Sequence, residues 1–156
     1  MLVLEDDLTA LTGGVWEAFL GLTAEPVPPD DAVVGSCYSS CVHISGAWEG
    51  SVNLVLPEPL ARTVAAAMFD LPPSDVSAED LTDAVGELAN IIGGNVKGMI
   101  DEPCELSLPV VAAGPGISLS IPGAEVLQSV TLSSGGHAFQ VAVHARPTPR
   151  TPRSEP

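Results

Sequence analysis

The order of hydropathy patterns along the chain predicts an α+β fold, with helices packed on one face of an antiparallel β-sheet. Three observations support this class: an amphipathic helix near the amino terminus, two consecutive helices in the middle, and strands joined by short turns. Short turns imply antiparallel pairing, and helices grouped apart from strands favour a layered arrangement. Each half of the chain reads as a helix followed by strands, which suggests a diverged duplication.

The first half of the chain contains two predicted helices and a predicted hairpin. Apolar residues recur at helical spacing over residues 7–22, which indicates the first helix. Turn-rich residues 25–31 follow, and then residues 32–45 and 51–56 alternate as the strands of a hairpin. Prolines suit the first turn of the next helix, and the Pro72-Pro73 pair ends it.

The second half begins with the longest predicted element, a helix over residues 77–100. Ser77 is suited to cap it, and Glu79 and Asp80 lie near the positive end of its dipole. Four strands are predicted beyond it, at residues 105–112, 117–121, 124–133 and 138–145. The last ten residues contain proline, arginine and threonine but no aliphatic residue. We therefore expect a domain over residues 1–146 and a disordered tail over residues 147–156.

The chain of 156 residues is strongly acidic, with 20 acidic residues, 5 basic residues and a formal charge of −15. Apolar residues make up 46% and charged residues 16%, so the composition fits a globular protein rather than a disordered one. Three of the five basic residues are arginines in the last eleven positions, which we assign to a tail outside the fold. Such a charge repels nucleic acids and anionic membranes. It favours a partner with a lysine-bearing face.

The sequence also allows predictions about cellular location and metal binding. No apolar run approaches the roughly 20 residues of a membrane span, and the amino terminus lacks a signal-like stretch, so we expect a cytoplasmic protein. Cys37 and Cys41 with His43 resemble half of a zinc site, but no second close pair completes four ligands. We therefore predict buried, reduced cysteines and no metal site. The remaining histidines, His137 and His144, are expected to be structural or exposed.

One face of the longest helix is the candidate functional surface. A helical wheel gathers six residues within an arc of roughly 80° opposite the apolar side. They are Asp83, Glu87, Asn90, Gly94, Lys97 and Asp101. Four glycines, at positions 86, 93, 94 and 98, are spread along the polar flank of this helix, and each costs about 1 kcal/mol relative to alanine. We infer that something approaches the helix backbone closely. The alternatives are an ordinary solvated face, or a carboxylate metal site made by Asp83 and Glu87.

The run from Asp83 through Glu87 and Asn90 to Lys97 resembles the Asp-xxx-Glu-xx-Asn signature helix of the CheC/CheX/FliY phosphatases of bacterial chemotaxis, in particular the CheX-like branch. Three further segments are similar to the same branch and extend the resemblance over roughly residues 8–145. They are the hairpin at residues 46–52, the helix at residues 60–68 and the strand at residues 106–111.

The resemblance implies a CheC-like two-repeat fold and hydrolysis of the phospho-aspartate of a CheY-like receiver domain. It implies that Asn90 orients the attacking water and that Glu87 pairs with a receiver lysine, while Asp83, Gly94 and Lys97 contribute to partner binding. It also implies that Mg²⁺ is supplied by the receiver, and that two copies pair through an edge strand such as residues 124–133. No cofactor of the chain's own is expected.

Two departures from the family pattern qualify the resemblance. Some relatives carry two signature helices, but here Glu17 in the first helix is followed three residues later by Leu20 instead of asparagine. A downstream proline of the CheC signature has no counterpart at the usual interval, and Pro109 and Pro115 lie on either side of it. The competing reading is a non-catalytic domain that binds a receiver or a flagellar-switch component.

Overall fold

A seven-stranded antiparallel sheet with helices on one face confirms the predicted α+β class. The computed structural model describes residues 5–28, 33, 35–115, 119 and 122–147. The helices are α1 (Glu5–Val15), continued by a π-helix (Trp16–Leu20), α2 (Glu58–Phe69), a 3₁₀ turn (Pro73–Asp75) and α3 (Ala78–Gly98). The strands are β1 (Glu25–Pro26), β2 (Ser36–Gly46), β3 (Gly50–Pro57), β4 (Cys104–Leu106), β5 (Val110–Pro115), β6 (Glu125–Ser134) and β7 (His137–Ala145).

The two halves of the chain exchange edge strands. The sheet order is β1-β6-β7-β3-β2-β4, and β5 also pairs with β2. Thus β1 from the first half borders the β6–β7 hairpin of the second, and β4 and β5 from the second half border the β2–β3 hairpin of the first. The central strands β3 and β7 join the hairpins. This reciprocal arrangement is the one expected of a two-repeat fold.

Alternation along the strands separates the two faces of the sheet. The face under the helices is apolar, with Val42, Leu54 and Val141 completely buried. The opposite face is largely polar and small, and includes Ser39, Cys41, Ser51, Asn53 and Gln140. Side chains directly opposite one another across paired strands share a face, so the helix layer covers one side alone.

The predicted strand at residues 105–112 is two strands. β4 pairs with the end of β2, β5 pairs with its start, and the chain between them leaves the ladder after Ser107. The backbone N–H of Ser107 still donates to the His43 carbonyl at 2.8 Å, but the next residues are not paired. Pro109 has no N–H to continue a ladder, which explains the interruption.

The segment before β2 contains a short strand that the sequence did not predict. The residues expected to form only turns, 25–31, contain the two-residue strand β1, which is held to β6 by register pairs at Leu132 and Ser133. The predicted strand at residues 117–121 lies outside the described residues, apart from Leu119.

The first helix departs from a regular α-helix at its carboxyl end. Trp16 is completely buried, stacks on Phe139 at a ring separation of 4.3 Å, and donates from Nε1 to the Ser134 hydroxyl at 3.0 Å. The π-helical turn that follows rotates later side chains away from their α-helical positions. Phe19, which the helical pattern assigned to the apolar face, is accordingly 56% exposed.

The third helix begins and packs as predicted. The Ser77 hydroxyl accepts from the Asp80 N–H at 3.1 Å, and the Asp80 carboxylate accepts from the Ser77 N–H at 2.9 Å, which forms a capping box. Its apolar face packs on β2 and α2, with Leu88, Ile92 and Val96 completely buried. Met99, which helical spacing from Leu88, Ile92 and Val96 assigns to the same face, lies just past the helix end and is 36% exposed.

Arg146, the last residue of the predicted domain, is bound into the fold. Although the charge count grouped it with the arginines of the tail, it donates to the Glu49 carboxylate and to the Pro122 carbonyl, both at 3.2 Å, and its N–H donates to the Glu49 carbonyl. It therefore closes the sheet instead of belonging to a tail. Among the described residues, none of the helices combines the length and hydropathy that crossing a membrane requires.

Candidate functional site

The exposed side of α3 brings the predicted site residues into one row. Asp83, Glu87 and Gly94 are exposed, while Asn90 and Lys97 are half-buried. Glu87 and Asn90 are three residues apart and therefore lie one turn apart on the same side of the helix. The helical wheel predicted this shared side because α3 is regular over this stretch, whereas Asp101, which the wheel also included, lies past the helix end at Gly98.

The polar side chains in this row make no hydrogen bond or ion pair with the other described residues. In the part of the chain that the structure describes, the side chains of Asp83, Glu87, Asn90 and Lys97 have neither a hydrogen-bond partner nor an ion pair. By contrast, Asn95 on the same helix donates to the Ile91 carbonyl at 2.8 Å. Glu87 and Asn90 therefore keep their full hydrogen-bonding capacity for a molecule outside the chain.

The glycines of α3 serve two different purposes. A Cβ at Gly93 would overlap Val42 of β2, and one at Gly86 would meet the Val111 side chain at 3.2 Å. These two glycines are buried, so their placement on the polar flank was wrong: they let the helix approach its own sheet. At Gly94 and Gly98 a Cβ would meet nothing within 4 Å. Only these two leave helix backbone open to another molecule.

A groove runs beside Glu87 between α3 and β5. It has a volume of about 410 Å³ and is lined by Thr82, Asp83, Gly86, Glu87, Pro109 and Val111. The helix supplies its polar wall with two carboxylates, and the strand supplies an apolar wall. Sequence reasoning confined to the helix missed the strand wall, although the proline of that wall was noted.

The groove also distinguishes the two prolines that lie on either side of the family interval. The Pro109 ring lies 3.5 Å from where a Cβ of Gly86 would stand, so Pro109 belongs to the candidate site. Pro115 lies at the end of β5, opposite Ser36. The break between β4 and β5 brings the first of these prolines against the helix.

The cysteines and histidines lie away from this surface. All three cysteines are free; Cys37 and Cys41 are buried and Cys104 is half-buried. Burial raises the pKa of both buried thiols, and a hydrogen bond with Ser51 partly offsets this at Cys41, so burial favours the less nucleophilic thiol form. Within the described ranges, no three histidine, cysteine, aspartate or glutamate residues are grouped to hold a metal ion.

The first helix does not reproduce the site. Glu17 is exposed, but Leu20, at the position that corresponds to Asn90, is buried. The predicted loss of a second signature helix is consistent with this burial.

Comparisons with known proteins agree with this architecture. The chain is similar to the chemotaxis protein CheX from Vibrio vulnificus, with 21% identity and a TM-score of 0.72 over 90% of this chain and 94% of that one. It is similar to CheX from a Desulfovibrio desulfuricans subspecies, with 23% identity and a TM-score of 0.69 over 87% and 94% of the two chains. A chain of the CheX–CheY–BeF₃–Mg²⁺ complex from Borrelia burgdorferi matches with 19% identity and a TM-score of 0.69 over 94% and 100%.

At these identities the structural matches establish the fold alone, and no curated protein sequence matches the chain. The family is established by a sequence model described as chemotaxis phosphatase CheX, which matches residues 38–133. That range covers more than half of the chain and contains both Glu87 and Asn90. On this match and the shared fold, the chain belongs to the CheX family of chemotaxis phosphatases.

Proposed function

We propose that this protein hydrolyses the phospho-aspartate of a CheY-like receiver domain, with Glu87 and Asn90 of α3 as its catalytic residues. The observation that carries the proposal is that both side chains lie one turn apart on the exposed side of α3 and have no partner among the described residues. A solvated face has no need for a half-buried asparagine in mid-helix, where asparagine is a poor helix former.

Asn90 acts by positioning a water molecule. Phosphoryl transfer passes through a loose transition state that asks little of a general base and much of alignment. A carboxamide offers a donor and an acceptor at once, so the Asn90 side chain can hold one water in line with the phosphorus atom. Because its amide has no partner within the described fold, no internal bond must break before it enters the receiver's site.

Glu87 fixes the docking register. We assign it a charge-assisted hydrogen bond to a lysine of the receiver, close to the phosphoryl group. Gly94 supports a close backbone approach one turn beyond Asn90, since the space where its Cβ would lie is open. Lys97, half-buried at the end of the same row, and Asp83 at its start extend the contact.

The receiver domain brings the phosphoryl group and, in this proposal, the Mg²⁺ that accompanies it. The structure from Borrelia burgdorferi to which this chain is similar contains CheX, CheY, BeF₃ and Mg²⁺ together. Hard oxygen ligands of the receiver and its phosphoryl group are suited to that ion. On the CheX side, the chemistry of this surface is therefore positioning by an amide and a carboxylate.

A second copy of this chain is also proposed as a partner, through β6. β1 covers β6 only at Leu132 and Ser133, and no described strand pairs with the outer edge of β6 from residues 125–130. Val126 there is 62% exposed and Leu127 is 39% exposed. An uncovered edge with apolar side chains favours pairing between copies.

The decisive experiment measures phosphate release from phosphorylated receiver domains in Mg²⁺ with the parent protein, Asn90→Ala and Asn95→Ala. We expect Asn90→Ala to lose about 100-fold or more of the acceleration, the size typical of removing one positioned hydrogen-bonding group. Binding of the receiver should change little. Asn95→Ala is the matched control, because it removes the same amide from the same helix at a position that bonds only its own backbone.

The outcomes separate the two candidate functions. If Asn90→Ala is as active as Asn95→Ala, Asn90 is not catalytic. If the parent protein binds receivers but accelerates phosphate release from none of them, the protein is the non-catalytic binding domain, and the role of Glu87 is docking alone.

A further inference from the structure

We propose that the groove between α3 and β5 is a docking pocket for a second basic side chain of the receiver, a lysine or arginine distinct from the lysine paired with Glu87. The inference rests on the proposed function, because it takes the receiver as the partner. In this proposal the docking surface includes β5 in addition to the signature helix.

The two walls of the groove are chemically different. Asp83 and Glu87 project along the helix wall one turn apart, and both are exposed. Pro109 and Val111 form the strand wall, and both are half-buried. Gly86 lies between the walls: it has no side chain of its own, and a Cβ there would contact both Val111 and Pro109. Gly86 is buried, so the helix lies close to the strand wall there, and the groove is open to solvent on the side of Thr82, Asp83 and Glu87.

Lysine and arginine match both walls at once. Their aliphatic stems lie along apolar surface while the charged head stays near solvent or an opposite charge. Here the stem would lie on Pro109 and Val111, and the head would reach Asp83. An apolar side chain would leave the carboxylates without compensation for lost hydration, and an acidic side chain would be repelled.

The position of the groove makes it part of the same docking event. Glu87 lines the groove and also belongs to the proposed catalytic pair, so a receiver seated on Asn90 lies directly beside it. Asp83 is free to act as the counter-charge, since its carboxylate has no partner among the described residues. Lys97, the one basic residue of α3, is more than three turns away from Asp83.

The test measures the Kd of a beryllofluoride-activated, Mg²⁺-loaded receiver domain by calorimetry, together with KM and kcat for phosphate release. Asp83→Asn should raise Kd and KM about fivefold to tenfold with kcat unchanged, as expected for a partly desolvated charge pair. Glu17→Gln is the matched control, because it removes one exposed carboxylate from the first helix and the same unit of net charge. Its Kd should equal that of the parent protein.

A second pair of variants tests the strand wall. Val111→Thr replaces a methyl in the groove with a hydroxyl of similar shape, and we expect Kd to rise about twofold to threefold. Val110→Thr makes the same change at the neighbouring residue of β5, which is 60% exposed and does not line the groove. It should leave Kd unchanged.

A receiver-side cycle identifies the occupant. Surface lysines and arginines near the phosphorylated aspartate are replaced one at a time by methionine or glutamine. One replacement should lose its effect in the Asp83→Asn background, which is the signature of direct coupling. A cycle in which every receiver replacement is additive with Asp83→Asn overturns the proposal.

The remaining outcomes distinguish this proposal from the proposed function. If Asp83→Asn and Glu17→Gln change Kd equally, the effect is one of overall charge and the pocket is refuted. If Asp83→Asn weakens binding as expected but Asn90→Ala keeps full activity, the pocket stands and the catalytic assignment falls. If no receiver binds the parent protein, both fall.

Discussion

The first helix, which is α1 with its π-helical turn, and α3 are the corresponding helices of the two halves of the chain. They differ at the residue before a glutamate that both contain. In the first helix Trp16 precedes Glu17, and its completely buried ring packs on Phe139 in the sheet. In α3, Gly86 precedes Glu87 and, because it has no side chain, lets the helix lie close to Val111 and Pro109 beside the groove. The first helix fills the space beside its sheet with an indole ring, whereas α3 closes that space by having no side chain there.

The residue three positions after the glutamate also differs between the two helices, in its burial. Leu20 is 7% exposed and completes the core, whereas Asn90 is half-buried and unpaired in the described fold. The π-helical turn of the first helix ends at Gly21 in a left-handed conformation, so the chain turns away directly after Leu20. Under the proposed function, one repeat provides packing and the other provides the docking surface, and three sets of variants test this division.

The largest expected effect is that of Leu20→Asn, which restores a Glu-xx-Asn pattern to the first helix. Because the position is buried, we expect a loss of about 3 kcal/mol of unfolding free energy from lost packing and an uncompensated amide. Urea unfolding measures it. In an Asn90→Ala background this variant should not recover phosphate release. Recovery would show that the first helix is a latent second site, contrary to the division proposed here.

A smaller effect is expected at the glycines of α3. Gly93→Ala should lower the unfolding free energy by about 2 kcal/mol, since the new methyl overlaps Val42 and outweighs the better helix propensity of alanine. The matched change Gly94→Ala meets open space and should raise stability by up to about 1 kcal/mol. Thermal and urea unfolding of both variants provide the measurement. Equal stability changes would contradict the internal role assigned to Gly93.

The smallest effect is expected for Glu17→Gln. Glu17 is exposed on the repeat that provides packing, so both phosphate release and unfolding free energy should match the parent, the latter within about 0.5 kcal/mol. A drop in kcat comparable to that expected of Asn90→Ala would mean that both helices contribute to catalysis, which would contradict the division between them.

Hydropathy and spacing predicted most of the fold. The capping box at Ser77 and the apolar face of α3 were readable because a regular helix maps sequence spacing directly onto geometry. Helical spacing failed to predict the exposure of Phe19, because a π-helical turn changes the spacing there. It also failed to predict the burial of Gly86 and Gly93, because that burial depends on how closely the sheet lies against the helix. Local sequence does not contain that distance.

The candidate site was predictable in part for the same reason. Glu87 and Asn90 lie on one helix, so their relation is local and follows from a three-residue interval. The groove joins Gly86 to Pro109 and Val111 across more than twenty residues of chain, and only the pairing of β5 with β2 brings them together. Similarly, Arg146 was placed outside the fold because its contacts with Glu49 and Pro122 arise from sheet closure.

The close packing of α3 at Gly93 has a consequence for the proposed association with a receiver. A helix held against Val42 with no spare space cannot slide along β2 without a clash, so the backbone of the row from Asp83 to Lys97 is fixed before any partner binds. The conformational entropy of ordering that backbone is lost during folding and not again on association. The entropic cost of complex formation then falls on a few side-chain rotamers and on rigid-body freedom, which favours brief, repeatable encounters over slow rearrangement.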